Sequence, residues 1–144
     1  MALTILLLDT SAYSAAKRGH PDAVAAVRRA DRLILTPMVL AELHAGFLLG
    51  RNLRRNEAEL ETFVASSRVT VVDVDAETAL RYAVIYQGLR EAGTPIPTND
   101  IWIAASAMQH GCAVLTADRH FAKVAQILVE MLEGPGGRQD PRRR

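Results

Sequence analysis

The run Leu3–Leu8 has almost no polar alternation and stops abruptly at Asp9. A strand that faces water on one side alternates polar and apolar residues. One that reads as a continuous apolar stretch is covered on both faces, as in parallel sheets sandwiched between helices. The segment lacks a basic leader and is too short to span a bilayer, so a buried strand is expected rather than an export signal or anchor. The second apolar stretch, Leu33–Leu49, is interrupted by Pro37, Glu42 and His44, which excludes it as a span.

The rest of the chain repeats this grammar. Short β-rich segments at Arg32–Thr36, Val69–Val72 and Ala113–Thr116 alternate with longer helical patterns at Ser11–Lys17, Pro21–Ala30, Pro37 to about Leu49, about Glu57 to Ser66, a helix capped by Asp75 and closed by Gly93, and one capped by Thr98 or Asn99 and closed by Gly111. A helical turn near Arg119–Val124 precedes a last apolar run, Ile127–Leu132. Strands alternating with helices over this length imply a mostly parallel sheet with helices on both faces, an α/β class. With 144 residues, 49% of them hydrophobic, there is material for one core. We expect a single domain over residues 1–133, followed by a flexible basic tail over 134–144.

Bulk charge gives no argument for a polyanion partner, since 17 basic residues face 16 acidic ones. The positive excess is local: Arg138, Arg142, Arg143 and Arg144 stand against Asp140 in the tail, leaving the preceding residues slightly acidic. A single cysteine, Cys112, can form neither an internal disulfide nor a thiolate metal site, and a reducing cytoplasm is the expected setting.

Ligands of parallel sheets bind beyond the carboxyl ends of the strands, and four acids point there. Asp9 directly follows the first strand, and Asp118 lies two residues past Ala113–Thr116. On a helical wheel Glu42 falls between Val39, Leu43 and Gly46, where a carboxylate is costly unless paired or metal-bound. Asp100 sits in the first turn of a helix whose core face is Ile101, Ala104, Ala105 and Met108. Taken singly, each reads more readily as a cap or an ion-pair partner than as a site residue. Taken together, four carboxylates in one crevice repel each other unless they hold protons or a cation. Oxygen donors without a His or Cys partner select a hard ion, Mg2+ or Mn2+, whose chemistry is metal-assisted phosphodiester hydrolysis. Ser11, Asn99 and Thr116 flank these acids and either orient them or serve as ordinary caps and turn residues; Thr10 is expected to face away.

Other chemistries lack their residues. The spacing of His20, His44, His110 and His120 presents no metal pair on one helix face, so all four are expected to be surface or structural. There is no Gly-x-Ser-x-Gly elbow and no P-loop. A phosphorelay receiver would use Asp73 beside Asp9, but no second acid adjoins Asp9 and no Lys follows a late strand as that fold requires. Trp102, Tyr82, Tyr86 and Phe47 are expected to pack in a core or dimer contact rather than stack on bases. Arg51, Arg54, Arg55 and Arg68 suit either an RNA backbone or a solvated helix edge.

The segments Leu-Asp-Thr-Ser at 8–11, Ala-Glu-Leu-His-Ala-Gly at 41–46, Pro-Thr-Asn-Asp-Ile-Trp-Ile-Ala-Ala at 97–105 and Leu-Thr-Ala-Asp-Arg-His-Phe at 115–121 resemble, in order and spacing, a PIN-domain ribonuclease, and more narrowly a VapC-type toxin of a toxin–antitoxin pair. The resemblance implies a three-layer α/β/α fold with a parallel central sheet and Mg2+-dependent cleavage of structured RNA. It implies that Asp9, Asp100 and Asp118 hold the ion, with Glu42 completing the site or aligning the attacking water. It further implies a homodimer and a cognate antitoxin that blocks the site. The Arg-rich tail lies outside the shared pattern. A PIN-like module that binds RNA or protein without cutting is the alternative.

Overall fold

A computed structural model describes residues 2–133; the tail expected from Gly134 onward lies outside the described residues. Five parallel strands, β1 (Ile5–Leu8), β2 (Arg32–Leu35), β3 (Val69–Val71), β4 (Ala113–Thr116) and β5 (Val129–Met131), form one sheet in the order β3-β2-β1-β4-β5. The apolar run at 127–132 thus supplies a fifth strand. As its unbroken apolar sequence requires, β1 lies in the centre, with Leu6, Leu7 and Leu8 at most 2% exposed.

Among the described residues six helices fill the crossovers: α1 (Thr10–Lys17), α2 (Pro21–Arg29), α3 (Pro37–Leu49), α4 (Leu53–Val64), α5 (Ala76–Ala92) and α6 (Thr98–His110). From β1 the chain steps to β2 and β3 in one direction, then returns past β1 to β4. Right-handed crossovers put α1–α4 on one face and α5 and α6 on the other, which is a three-layer α/β/α sandwich. Among the described residues no helix is long and apolar enough to cross a membrane.

Local signals explain most boundaries. Asp75 forms a capping box with Thr78 at the start of α5, and Gly93 and Gly111 end α5 and α6 at φ 67° and 61°, left-handed backbone that glycine adopts without strain. Most ends shift by one or two residues from the sequence expectation, and two differences have a physical account. α4 begins at Leu53 rather than near Glu57, because Arg54 and Arg55 are good helix formers and extend the first turn. Thr98 and Asn99 lie inside α6, whose cap position is Pro97 with its carbonyl accepting from Asp100 and Ile101; neither side chain caps the helix.

Two anchors fix the chain, one at each end of the strands. Arg68, just before β3, donates from Nη1 to the Val27 and Ala30 carbonyls at 3.0 and 2.5 Å, closing the carboxyl end of α2. Phe121 is fully buried in a 3₁₀ turn over Arg119–Lys123, and its burial contributes about 2–3 kcal/mol to fixing the segment that follows β4.

Candidate active site

The connections leaving β1 and β4 diverge, so their adjacent carboxyl ends form the crevice at which parallel α/β sheets bind ligands. A cleft of about 250 Å³ opens there, lined by Asp9, Glu42, Asp100 and Asp118 together with Thr10 and Ser11. All four acids singled out from sequence therefore share one cavity, although they come from the residue after β1, from α3, from α6 and from the turn after β4.

Asp9 is the most constrained, with only 4% of its surface exposed. Its Oδ1 accepts from Ser11 Oγ at 2.7 Å and from the Ala12 N–H at 2.8 Å; its Oδ2 accepts from Thr116 Oγ1 at 2.6 Å. The two hydroxyls are themselves fixed from behind: Ser11 Oγ accepts the Ala117 N–H at 2.9 Å, and Thr116 Oγ1 accepts the Asp118 N–H at 2.8 Å. Each hydroxyl thus has its single proton committed to Asp9, and one hydrogen-bonded chain runs from the end of β1 to Asp118. Asp9 caps α1 and faces the cleft at the same time, so the capping and site readings hold together.

Asp118 Oδ1 accepts the His120 N–H at 2.9 Å, which caps the 3₁₀ turn. Asp100 projects from the first turn of α6 with a side chain 14% exposed. Glu42 corrects the helical-wheel argument: its side chain is exposed at the cleft rim rather than on a buried stripe. It is held there by Asn99, whose Nδ2 donates to Glu42 Oε1 at 2.8 Å. Ser11, Thr116 and Asn99 therefore each donate a hydrogen bond to one of the cleft carboxylates. Thr10, expected to face away, lines the cleft instead.

His120 is the residue that sequence reasoning missed. Its Nδ1 lies 3.2 Å from Asp100 Oδ2 and 3.1 Å from Asp118 Oδ1. Its position two residues after Asp118, next to the apolar Phe121, was the only signal in the sequence, and no helical spacing contains it. Tyr82 and Trp102 meet across α5 and α6 with ring centroids 4.5 Å apart, consistent with the packing role expected of them.

The electrostatics record the crowding. Burial pushes the Asp9 carboxyl above its ordinary range against its three hydrogen-bond donors, with the charge on Asp118 adding to the rise. Asp100 is pushed up to about 6, first by burial and then by Asp118, with Glu42 adding and His120 opposing. Such a set favours a cation. Asp100, Asp118 and His120 each offer a ligand atom, all within 4.8 Å of one another, and Asp9 Oδ2 has a lone pair beyond its one hydrogen bond. The donors are mainly carboxylate oxygens, which fit a hard divalent ion.

Comparison with known proteins agrees with this geometry. The PIN domain family matches residues 6–127. Ribonuclease VapC4 of Mycobacterium tuberculosis is 30% identical over 125 residues, spanning 85% of this chain and 93% of that protein. The tRNA(fMet)-specific endonuclease VapC of Salmonella typhimurium is 32% identical over 101 residues, 69% of this chain and 75% of that protein. The crystal structure of VapBC-5, a toxin–antitoxin system member from Mycobacterium tuberculosis, superposes with a TM-score of 0.72 at 29% identity, covering 90% of this chain and 99% of that one. The parallel five-stranded sheet, the ordered motifs and these likenesses agree: the chain belongs to the PIN-domain family, in its VapC-type branch.

Proposed function

We propose that this protein is a divalent-metal-dependent endoribonuclease that acts on structured RNA in the cytoplasm as the toxin of a toxin–antitoxin pair. The observation that carries the reading is the convergence of Asp9, Glu42, Asp100 and Asp118 on one cleft at the sheet's switch point. Relatives named as ribonucleases, one of them tRNA-specific, and a neighbour from a toxin–antitoxin system support it.

Under this reading Asp9, Asp100 and Asp118 hold Mg2+ or Mn2+, which supplies Lewis acidity toward the scissile phosphate and makes nearby water more acidic. The chain's own residues do the positioning. Ser11, Thr116 and the Ala12 amide fix the Asp9 carboxylate so that its remaining lone pair faces the cleft. Glu42, steadied by Asn99 on the rim, aligns the attacking water and takes its proton. In-line attack on phosphorus breaks the bond to the 3′ oxygen, which takes a proton from solvent water, leaving a 3′-hydroxyl and a 5′-phosphate. No side chain becomes covalently linked to RNA.

The test is cleavage of a bulk transfer and ribosomal RNA pool with Mg2+ and with chelator. Cleavage confined to the Mg2+ arm is expected, with growth arrest when the chain is expressed in bacteria without its antitoxin. Cleavage undiminished by chelator would overturn the metal site; RNA binding without any cleavage would favour a non-cleaving module.

We further propose a homodimer. Leu80 and Val84, one turn apart on α5, are 69% and 46% exposed, an apolar stripe suited to a second copy. Leu80→Glu is expected to convert a dimer to a monomer in sedimentation equilibrium; an unchanged dimer mass would exclude this face.

A further inference from the structure

We infer that His120 is a ligand of the same ion, and that its nitrogen makes the site prefer Mn2+ to Mg2+. The inference rests on the metal-site reading above and goes beyond it, because the carboxylates alone define an oxygen-only site.

The geometry is that of neighbouring ligands. Six-coordinate ions with donors at about 2.1 Å place adjacent donor atoms about 3 Å apart. His120 Nδ1 stands 3.2 Å from Asp100 Oδ2 and 3.1 Å from Asp118 Oδ1, and the three residues each offer a ligand atom within 4.8 Å of the others. The ring is not a wandering surface side chain. Its backbone N–H is tied to Asp118 Oδ1 at 2.9 Å, and the next residue, Phe121, is fully buried. The ring is also 43% exposed, so incoming ions can reach it from solvent.

Mn2+ and Mg2+ both suit carboxylates, carbonyls and water, but Mn2+ is a first-row transition ion, the weakest of that series for nitrogen donors, and still takes an imidazole more readily than the harder Mg2+. A nitrogen among the carboxylates therefore shifts selectivity without changing the hydrolytic chemistry. The competing account is that His120 is a cationic partner neutralising Asp100 and Asp118. In that case its removal changes the affinity for every divalent ion by a similar factor, since only charge is altered.

The experiment is calorimetric titration of Mn2+ and, separately, Mg2+ into the chelator-treated full chain and its His120→Ala and His120→Gln variants, with pulsed EPR of the Mn2+-loaded proteins. We expect His120→Ala to weaken Mn2+ binding by about tenfold or more while Mg2+ binding changes little. The wild type should show imidazole-nitrogen hyperfine coupling that both variants lack. An equal change for both ions, or no nitrogen coupling in a wild type that binds Mn2+, would overturn the ligand role and leave the nuclease reading standing. A wild type that binds neither ion would overturn both. His120→Gln keeps the side chain's polarity, and its thermal unfolding controls for a folding defect.

Discussion

Replacing Asp9 with asparagine is expected to reduce RNA cleavage by about a hundredfold or more while leaving the chain folded. Losing even a residue that only supports a metal ligand costs roughly 10- to 100-fold, and Asp9 is assigned as a ligand itself. The effect on stability is a contest between two terms. An amide in place of the carboxylate turns one acceptor into a donor, which then faces either Thr116 Oγ1 or the Ser11–Ala12 pair, all of them donating to Asp9. Such a conflict at a buried group costs about 1–3 kcal/mol. Against it, the substitution removes a charge that burial disfavours, as the raised Asp9 pKa records. The net change is therefore smaller than the loss of activity. Cleavage assays in Mg2+ alongside thermal unfolding separate the two, and activity within tenfold of the parent would remove Asp9 from the ion's ligands.

The second large effect is linkage between pH, ion and stability. The Asp100 carboxyl rises to about 6 in the folded chain from an ordinary value of 3.8. A raised acid favours the folded state while it keeps its proton. That contribution is present at low pH and is lost as pH climbs from about 4 through about 6, where the fold must hold Asp100 charged beside Asp118 and Glu42. Chelator-treated protein should accordingly lose melting temperature over this window. Divalent ion should restore it only above the window, where the carboxylates are ionised. At a hundred times its dissociation constant, a ligand of the folded state adds about 2.7 kcal/mol, or about 10 °C for a domain of this size. Differential scanning fluorimetry at about pH 5 and about pH 7.5, with and without saturating Mg2+ or Mn2+, reads this directly. An ion-induced rise as large at the lower pH as at the higher would contradict a site built around Asp100.

Much of this site could be read from sequence because its geometry is locally encoded. Asp9 and Asp118 follow strands whose direction is fixed by burial, so their side chains had to emerge at the carboxyl ends of β1 and β4. Asp100 was recoverable for a similar reason, lying in the first turn of a helix with a clear core face. Glu42 shares the cleft with the other three acids, but not for the reason the helical wheel gives. The apolar pattern of α3 runs nearly all round the helix, and Leu48 and Leu49 are 69% and 91% exposed, so periodicity could not say which side faced the core. Asn99 looked like a cap because amide side chains often are; its partner Glu42 is 57 residues away, and no local rule finds it. His120 was hidden in the same way, since its contact with Asp100 depends on how the turn after β4 closes over the start of α6.

The middle of the sheet holds a consequence for biosynthesis. β1 is the first strand made, yet one of its two neighbours, β4, ends at Thr116, and Asp118 lies beyond it. A ribosome must release the chain as far as residue 118 before the gap beside β1 can be filled and the acids gathered. If the proposed RNA cleavage is right, the nascent chain cannot cut until residues as far as Asp118 have been made and folded against β1.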